Sequence, residues 1–284
     1  MTIAEALRET GRRLESVGGS GRLDALLLLE HVTGASRVSF IFDDERVLTA
    51  AEEVAFAHAV ERRSSGMPIP YITKSAGFFG KLFAVDERVL VPRPETEHLV
   101  EAALDDLRKR GRAEPRVADI GTGSGAIAIS IAANMPGAWV FGTDISRAAI
   151  AVARGNAARN NVFQECTFLH GDLAAPLARF APLDCVIANL PYVPTAEIAA
   201  APDPVSFEPR LALDGGADGN DLYRRLLAQL PALLAERAFV LFEAAPATIE
   251  PLAALVRAAF PAAQTRVHAD YANLGRYISL RCSG

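Results

Sequence analysis

The stretch Val117-Ala118-Asp119-Ile120-Gly121-Thr122-Gly123-Ser124-Gly125 decides the architecture of most of this chain. Its first four residues read as a short strand. Three alternating glycines then interrupt it, at a place where glycine lets the backbone turn tightly and a ligand come close. Residues 126–133 read as the helix that follows. Similar units recur downstream. Residues 139–143 form a strand closed by Asp144, and residues 148–160 a helix. Residues 167–170 form a strand closed by Gly171-Asp172, and residues 184–188 a strand closed by Asn189. Helices at 222–234 and 249–259 flank a strand at 238–243. This alternation predicts a parallel, doubly wound, Rossmann-like α/β sheet. Residues 265–268 and 277–281 read as strands with no helix between them, which predicts an antiparallel edge.

Upstream the pattern is helical. Thr2 with Glu5 and Thr49 with Glu52 fit capping boxes. The first helix carries Ile3, Ala6, Leu7, Leu14 and Val17 at helical spacing and is broken by Gly18, Gly19 and Gly21. A second spans 23–32 and stops at Gly34, 36–42 is a short third, and the fourth ends near Gly66. Gly66-Met67-Pro68-Ile69-Pro70 ends this pattern, and residues 71–91 turn β-like, with Gly80-Lys81 as a hairpin turn. The expected division is a small all-helical domain over 1–72, a β-hairpin connector over 73–92 and the α/β domain over 93–284. Pro94, Glu95 and Glu97 suit the start of a helix running to Gly111; a role for the two acids at a site is the alternative. His31 and His58 read as surface or core residues rather than ligands.

Half of the 284 residues are hydrophobic, enough for a sizeable core, and the formal charge of −5 argues against a large nucleic-acid-binding face, though not against a local basic patch. Cys166, Cys185 and Cys282 lack metal spacing, so no metal site is expected, and they fit a reduced, cytoplasmic protein. The first residues lack the pattern of a secretory signal, and no apolar run is long enough to span a bilayer.

An acid at the end of the next strand, about 20 residues after a glycine turn, is placed to hydrogen-bond ribose hydroxyls. Gly121, Thr122, Gly123, Ser124, Gly125 and Asp144 therefore point to a bound nucleoside. Gly121-x-Gly123-x-x-Ala126 also satisfies the loose dinucleotide pattern, which keeps a nicotinamide-dependent oxidoreductase open. Asp119, two residues before the first glycine, makes an Asp-x-Gly-x-Gly-x-Gly run that resembles motif I of class I AdoMet-dependent methyltransferases. In that family the acid closing the following strand contacts adenine. Here that acid is Asp172, able to accept from an exocyclic amino group, with Leu173 against the ring; a plain Gly-Asp turn is the alternative.

The strand before Asn189 ends in Asn189-Leu190-Pro191-Tyr192. The Asn189 side-chain oxygen and the Leu190 carbonyl can each accept one N–H of a planar NH₂ group, fixing its nitrogen and offsetting positive charge as a methyl is transferred. Pro191 restrains the turn. Tyr192 offers a face for stacking. Asn189 borders both the cofactor and the substrate. An N6-adenine methyltransferase acting on DNA or RNA would use the same hydrogen bonds.

Nearly the full length resembles the HemK/PrmC family, the release-factor glutamine N5-methyltransferases. The resemblance rests on Gly66-x-Pro68-x-x-Tyr71-Ile72, on Val89-Leu90-Val91-Pro92-Arg93-Pro94-Glu95-Thr96-Glu97, and on Phe207-Glu208-Pro209-Arg210-Leu211-Ala212-Leu213-Asp214-Gly215-Gly216. It implies S-adenosyl-L-methionine held by residues 121–125, Asp144, Asp172 and Leu173. It implies a glutamine from the Gly-Gly-Gln loop of peptide chain release factors held by residues 189–192, with no membrane and no stable nucleic acid partner. The helical domain is then expected to dock the substrate, or else to pack as a lid. Three features depart from the family: Leu190 stands where Asn-Pro-Pro-Tyr has its first proline, as in the dimethyladenosine rRNA methyltransferases, Ala244-Ala245-Pro246 replaces a glycine-rich continuation, and Leu173 stands where an aromatic is expected.

Overall fold

In the computed structural model, which describes residues 1–17, 20–199, 203–269 and 274–283, the glycine turn opens an α/β sheet. Gly18 and Gly19, expected to break the first helix, lie outside the described residues. The chain divides into two units, Met1–Ser75 with Ala199–Phe207, and Ala76–Ile198 with Glu208–Gly284.

The first unit holds α1 (Ile3–Leu14), α2 (Gly21–Thr33), α3 (Ser39–Phe42), α4 (Ala50–Ser64) and α5 (Ile69–Thr73). Both expected capping boxes form, at Thr2 with Glu5 and at Thr49 with Glu52. Gly34 closes α2 in the left-handed conformation. Gly21 does not break a helix; it is the first residue of α2. A Cβ there would press on the α1 backbone at Gly11 and Glu15, so glycine lets the two helices come close. Tyr71 and Ile72 are helical rather than β-like. Pro70 falls in the first turn of α5, where its missing N–H leaves no bond unmade. The apolar faces share one core that includes Ile3, Leu14, Leu28, Leu29 and Phe56. Its buried ion pair, Arg63 with Asp24, is 2.7 Å long.

A hairpin follows, β1 (Ser75–Phe78) and β2 (Lys81–Ala84). Its turn is Phe79-Gly80, one residue earlier than expected, with φ of 49° and 70°. The Phe79 N–H donates to Glu97 Oε1 at 2.8 Å, so Glu97, the first residue of α6 (Glu97–Arg110), braces the hairpin.

The sheet contains β3 (Arg116–Ile120), β4 (Trp139–Asp144), β5 (Cys166–His170), β6 (Leu183–Ala188), β7 (Leu234–Glu243), β8 (Gln264–Ala269) and β9 (Gly275–Arg281), in the order β5-β4-β3-β6-β7-β9-β8. The first five in that order are parallel. β9 runs antiparallel to both β7 and β8, forming the expected antiparallel edge. The helices are α7 (Ala126–Asn134), α8 (Arg147–Arg159), α9 (Asp221–Gln229) and α10 (Ile249–Ala259). α9 ends five residues before the expected limit because Pro231 cannot donate a helical hydrogen bond. Leu234 already belongs to β7.

Every residue of β6 is buried. β6 lies between β3 and β7, and chain order reverses between β4-β3 and β6-β7. That reversal creates a crevice at the carboxyl ends of the strands. Ile120 pairs with Ala188, and Ala188 with Phe242, so Gly121, Asn189 and Glu243 emerge side by side at that rim. No helix among the described residues is long and apolar enough to cross a membrane.

Candidate active site

The glycine loop is held by the end of β4. The N–H groups of Gly121 and Thr122 donate to the Thr143 carbonyl at 2.9 and 2.8 Å. The Gly123 N–H donates to Asp144 Oδ2 at 2.9 Å, and Asp144 Oδ1 accepts the Ser146 N–H at 2.8 Å. Burial pushes the Asp144 carboxyl up, against the pull of these two N–H groups. Thr122 Oγ1 donates to Asp119 Oδ2 at 2.6 Å. Asp119 is almost fully buried, which pushes its carboxyl up to about 7. Ser124 is buried and Gly125 caps α7. Of the five loop residues, Gly121 and Gly123 face a cavity of about 220 Å³, while Thr122, Ser124 and Gly125 build the loop behind it.

Asp144, Asp172, Leu173, Asn189, Leu190 and Pro191 also line that cavity, with Ile145, Leu211 and Leu222 as apolar wall. Apolar walls with carboxylates at two strand ends suit a nucleoside, whose faces are apolar and whose edges carry N–H and O–H donors. Asp172 Oδ2 accepts from Arg225 at 2.5 Å in a half-exposed pair, and its Oδ1 takes no hydrogen bond from the described residues. Leu173 has φ 48°, a left-handed conformation that costs a leucine about 1–2 kcal/mol. The Ala174 N–H, donating to Gln229 Oε1 at 2.9 Å, helps hold that corner.

The 189–192 turn sits against the glycine loop. A Cβ on Gly121, at φ 77°, would lie 2.9 Å from Leu190 Cδ2, so glycine is required for the Leu190 side chain to lie there. The Leu190 N–H donates to the Tyr223 hydroxyl at 3.1 Å, and that hydroxyl donates to the Glu243 carbonyl. Asn189 Nδ2 donates to Thr96 Oγ1 at 3.1 Å. Asn189 Oδ1 and the Leu190 carbonyl accept no hydrogen bond from the described residues. Tyr192 does not line the cavity. Burial, with the Glu243 charge adding, pushes its phenol up to about 12, so it stays protonated and cannot serve as a base near neutral pH.

Two distant strings brace this turn. Val193 exchanges backbone hydrogen bonds with Leu213 and Gly215 at 3.0 and 2.9 Å. Gly219, at φ 77°, leaves no room for a Cβ beside the Tyr192 carbonyl. Glu208 is buried, accepts the Val91 N–H at 3.0 Å and pairs with Arg93, so the 89–97 and 207–216 strings meet. Burial pushes the Glu208 carboxyl up while Arg93 draws it down.

Residues 5–73 match the PrmC N-terminal domain family, and residues 95–200 match the ribosomal protein L11 methyltransferase (PrmA) family. Over 281 residues the chain is 40% identical to a release factor glutamine methyltransferase of Moorella thermoacetica, covering 97% of each protein. It is 36% identical over 285 residues to another from Deinococcus radiodurans, covering 100% of each. The chain belongs to the release factor glutamine methyltransferase family. A T. thermophilus 16S rRNA methyltransferase solved with AdoMet and guanosine superposes with a TM-score of 0.52 at 20% identity, over 73% of this chain and 49% of that one, a likeness of fold alone. The fold is that of a class I methyltransferase. In this member of the family Leu190 keeps a backbone N–H that proline would lack, and Tyr223 accepts it.

Three residues at the site escaped the sequence reading of roles: Thr96, Tyr223 and Glu243. Glu243 carried a usable signal, since it closes β7 as Asp144 and Asn189 close their strands. Tyr223 reads as core among the apolar residues of its helix, and Thr96 as a helix-start residue.

Proposed function

We propose that this protein transfers a methyl group from S-adenosyl-L-methionine to the side-chain amide nitrogen of the glutamine in the Gly-Gly-Gln loop of peptide chain release factors. The observation that carries this reading is the pair of unengaged acceptors, Asn189 Oδ1 and the Leu190 carbonyl, on a turn that abuts the glycine loop. S-adenosyl-L-methionine, when bound, supplies an electrophilic methyl on a sulfonium. Gly121 and Gly123 leave room for it, Asp144 accepts from its ribose, and Asp172 with Leu173 takes its adenine. An amide nitrogen is a poor nucleophile because its lone pair is delocalised. Asn189 and Leu190, each accepting one N–H, orient that nitrogen and offset the positive charge it develops. Pro191 stiffens the turn, and Tyr192 gives the flat amide a surface to rest on.

Residues 1–72 serve in this reading as the domain that docks the macromolecular substrate, 73–92 as the connector, and 93–284 as the methyltransferase domain. The enzyme works in the cytoplasm, where release factors act, and has no stable nucleic acid partner. Leu190 favours one second reading, N6-adenine methylation of DNA or RNA, because Asn-Leu-Pro-Tyr is the turn of the dimethyladenosine rRNA enzymes.

The deciding experiment offers labelled S-adenosyl-L-methionine with a release factor, its Gln→Ala variant, or unmodified rRNA or DNA. Label on the release factor that vanishes in the variant is expected; label on nucleic acid alone would overturn the reading. In the same assay Asn189→Ala is expected to bind S-adenosyl-L-methionine normally and to lose about 10²–10³ in rate, the scale of losing one charge-stabilising partner. Lost cofactor binding would reassign the turn.

A further inference from the structure

A primary amide has two ends of nearly equal shape, and only the oxygen end accepts a hydrogen bond. An asparagine that must receive an N–H from its substrate therefore works in one orientation and fails in the other. Asn189 Nδ2 donates to Thr96 Oγ1 at 3.1 Å, and Thr96 and Asn189 both lie beside the Glu243 carboxyl, close enough to favour its ionised form. Thr96 and Glu243 are each 4% exposed. They reach Asn189 from different elements, Thr96 from the turn before α6 and Glu243 from the end of β7.

From this cluster we propose that Thr96 and Glu243 are positioning residues that hold the Asn189 amide nitrogen inward, so that Oδ1 is the atom presented to the substrate nitrogen. This rests on the reading of Asn189 as the substrate's acceptor. Thr96 alone is ambivalent, because its hydroxyl can turn to donate to a reversed amide. An ionised carboxylate only accepts, and facing the amide oxygen it would repel it. That explains an acid where packing gives no reason for one. Burying a carboxylate costs several kcal/mol unless partners compensate, and Glu243 Oε2 is buried with no hydrogen-bond partner among the described residues.

The same logic fixes a pH dependence. Burial pushes the Glu243 carboxyl up to about 7, with Glu95 adding to the rise, while Thr96, Arg276 and Asn189 draw it down. The other titratable groups facing it are the phenols of Tyr192 and Tyr223, both shifted upward by burial and neutral in this range. Above about 7 the carboxylate enforces one amide orientation. Below that it carries a proton, becomes a donor, and can serve the reversed amide. Turnover therefore falls as pH falls through this value.

The test measures methylation of a release factor by the full chain across about pH 6–9, at saturating S-adenosyl-L-methionine and varied release factor. Wild type is expected to show an acid limb in kcat near 7. Glu243→Gln removes that limb and lowers kcat about tenfold, the scale of one hydrogen bond to a charged group. Thr96→Val lowers kcat comparably and Thr96→Ser restores it, with KM and cofactor affinity unchanged in all three. A Glu243→Gln enzyme that keeps the limb, or a Thr96→Val enzyme with wild-type kcat, overturns the proposal. A second arm needs no substrate: the Glu243 carboxyl is titrated by carbon-13 NMR in wild type and in Asn189→Ala. Loss of the donor is expected to raise the apparent pKa, and identical titrations overturn the proposal. A wild type that methylates no release factor defeats the functional reading, and the NMR arm then still decides this one.

Discussion

At Leu190 one residue carries two demands. Its side chain is 3% exposed and belongs to the sheet core, while its carbonyl is the second acceptor proposed for the substrate amide. In the family's usual pattern a proline stiffens this position. Here the stiffening comes from a hydrogen bond, Leu190 N–H to the Tyr223 hydroxyl, whose own proton goes to the Glu243 carbonyl. Tyr223 thus ties the end of β6 to the end of β7. Tyr223→Phe would leave the Leu190 N–H buried and unpaired, at about 1–3 kcal/mol. For a protein of this size each kcal/mol lowers Tm by about 2–4 °C. In a Leu190→Pro background there is no N–H to orphan, so the same Tyr223→Phe change should be measurably milder. Thermal unfolding of the two single variants and the double variant gives the coupling. Additive effects would show that this hydrogen bond does not hold the turn. None of this was legible in the sequence, which displays the missing proline at 190 but not the hydroxyl 33 residues away that compensates for it.

Among the elements, the strand-turn-helix units were legible because apolar runs, glycines and acids alternate at fixed spacing. The boundaries that shifted did so for local reasons. Gly21 looked like a helix breaker because glycine has two uses, and close approach to the α1 backbone was the one realised. Pro70 looked like a terminator, yet a proline in the first turn starts a helix as well as it ends one. The candidate site was legible where a polar residue closes a strand, as at Asp144, Asp172 and Asn189. It was opaque where support arrives from remote chain, as with Glu208 on Val91 and Gly219 against Tyr192. Gly219 gives the prediction at this scale. Its positive φ and its crowding by the Tyr192 carbonyl mean that Gly219→Ala must push the 214–219 loop off the turn. Substrate turnover should drop by about 10²-fold, the penalty of misplacing reacting groups by roughly 1 Å. Cofactor affinity, which in the proposed function rests on Gly121, Gly123, Asp144 and Asp172, should change little. Isothermal titration with S-adenosyl-L-methionine beside a steady-state assay separates the two. Equal losses in both would mean that the loop supports the cofactor instead.

For the whole molecule, each of the two units has a hydrophobic core of its own. Ile3, Leu28 and Phe56 belong to one core, while Ile120, Val186, Tyr223 and Val240 belong to the other. The glycine loop, the 189–192 turn and every residue lining the cavity lie in the second unit. In the proposed function chemistry and cofactor are therefore carried by the second unit, and the helical unit is left with recognition as its role. A formal charge of −5 works against long-range attraction for nucleic acid, and in the proposed function recognition of a large partner rests on surface shape and local contacts. A chain of residues 74–284 should bind S-adenosyl-L-methionine with wild-type affinity. Its kcat/KM on an intact release factor should fall by about 10²-fold or more, mostly through KM, because uniform binding energy is lost while the reacting groups stay in place. On a short peptide carrying the Gly-Gly-Gln sequence, too small to use a remote docking surface, the shortened and full-length chains should be equally slow. That peptide control gives the experiment its force. If the shortened chain also loses activity on the peptide while still binding cofactor, the helical unit supports the catalytic geometry, and the role of a packing lid replaces that of a docking surface.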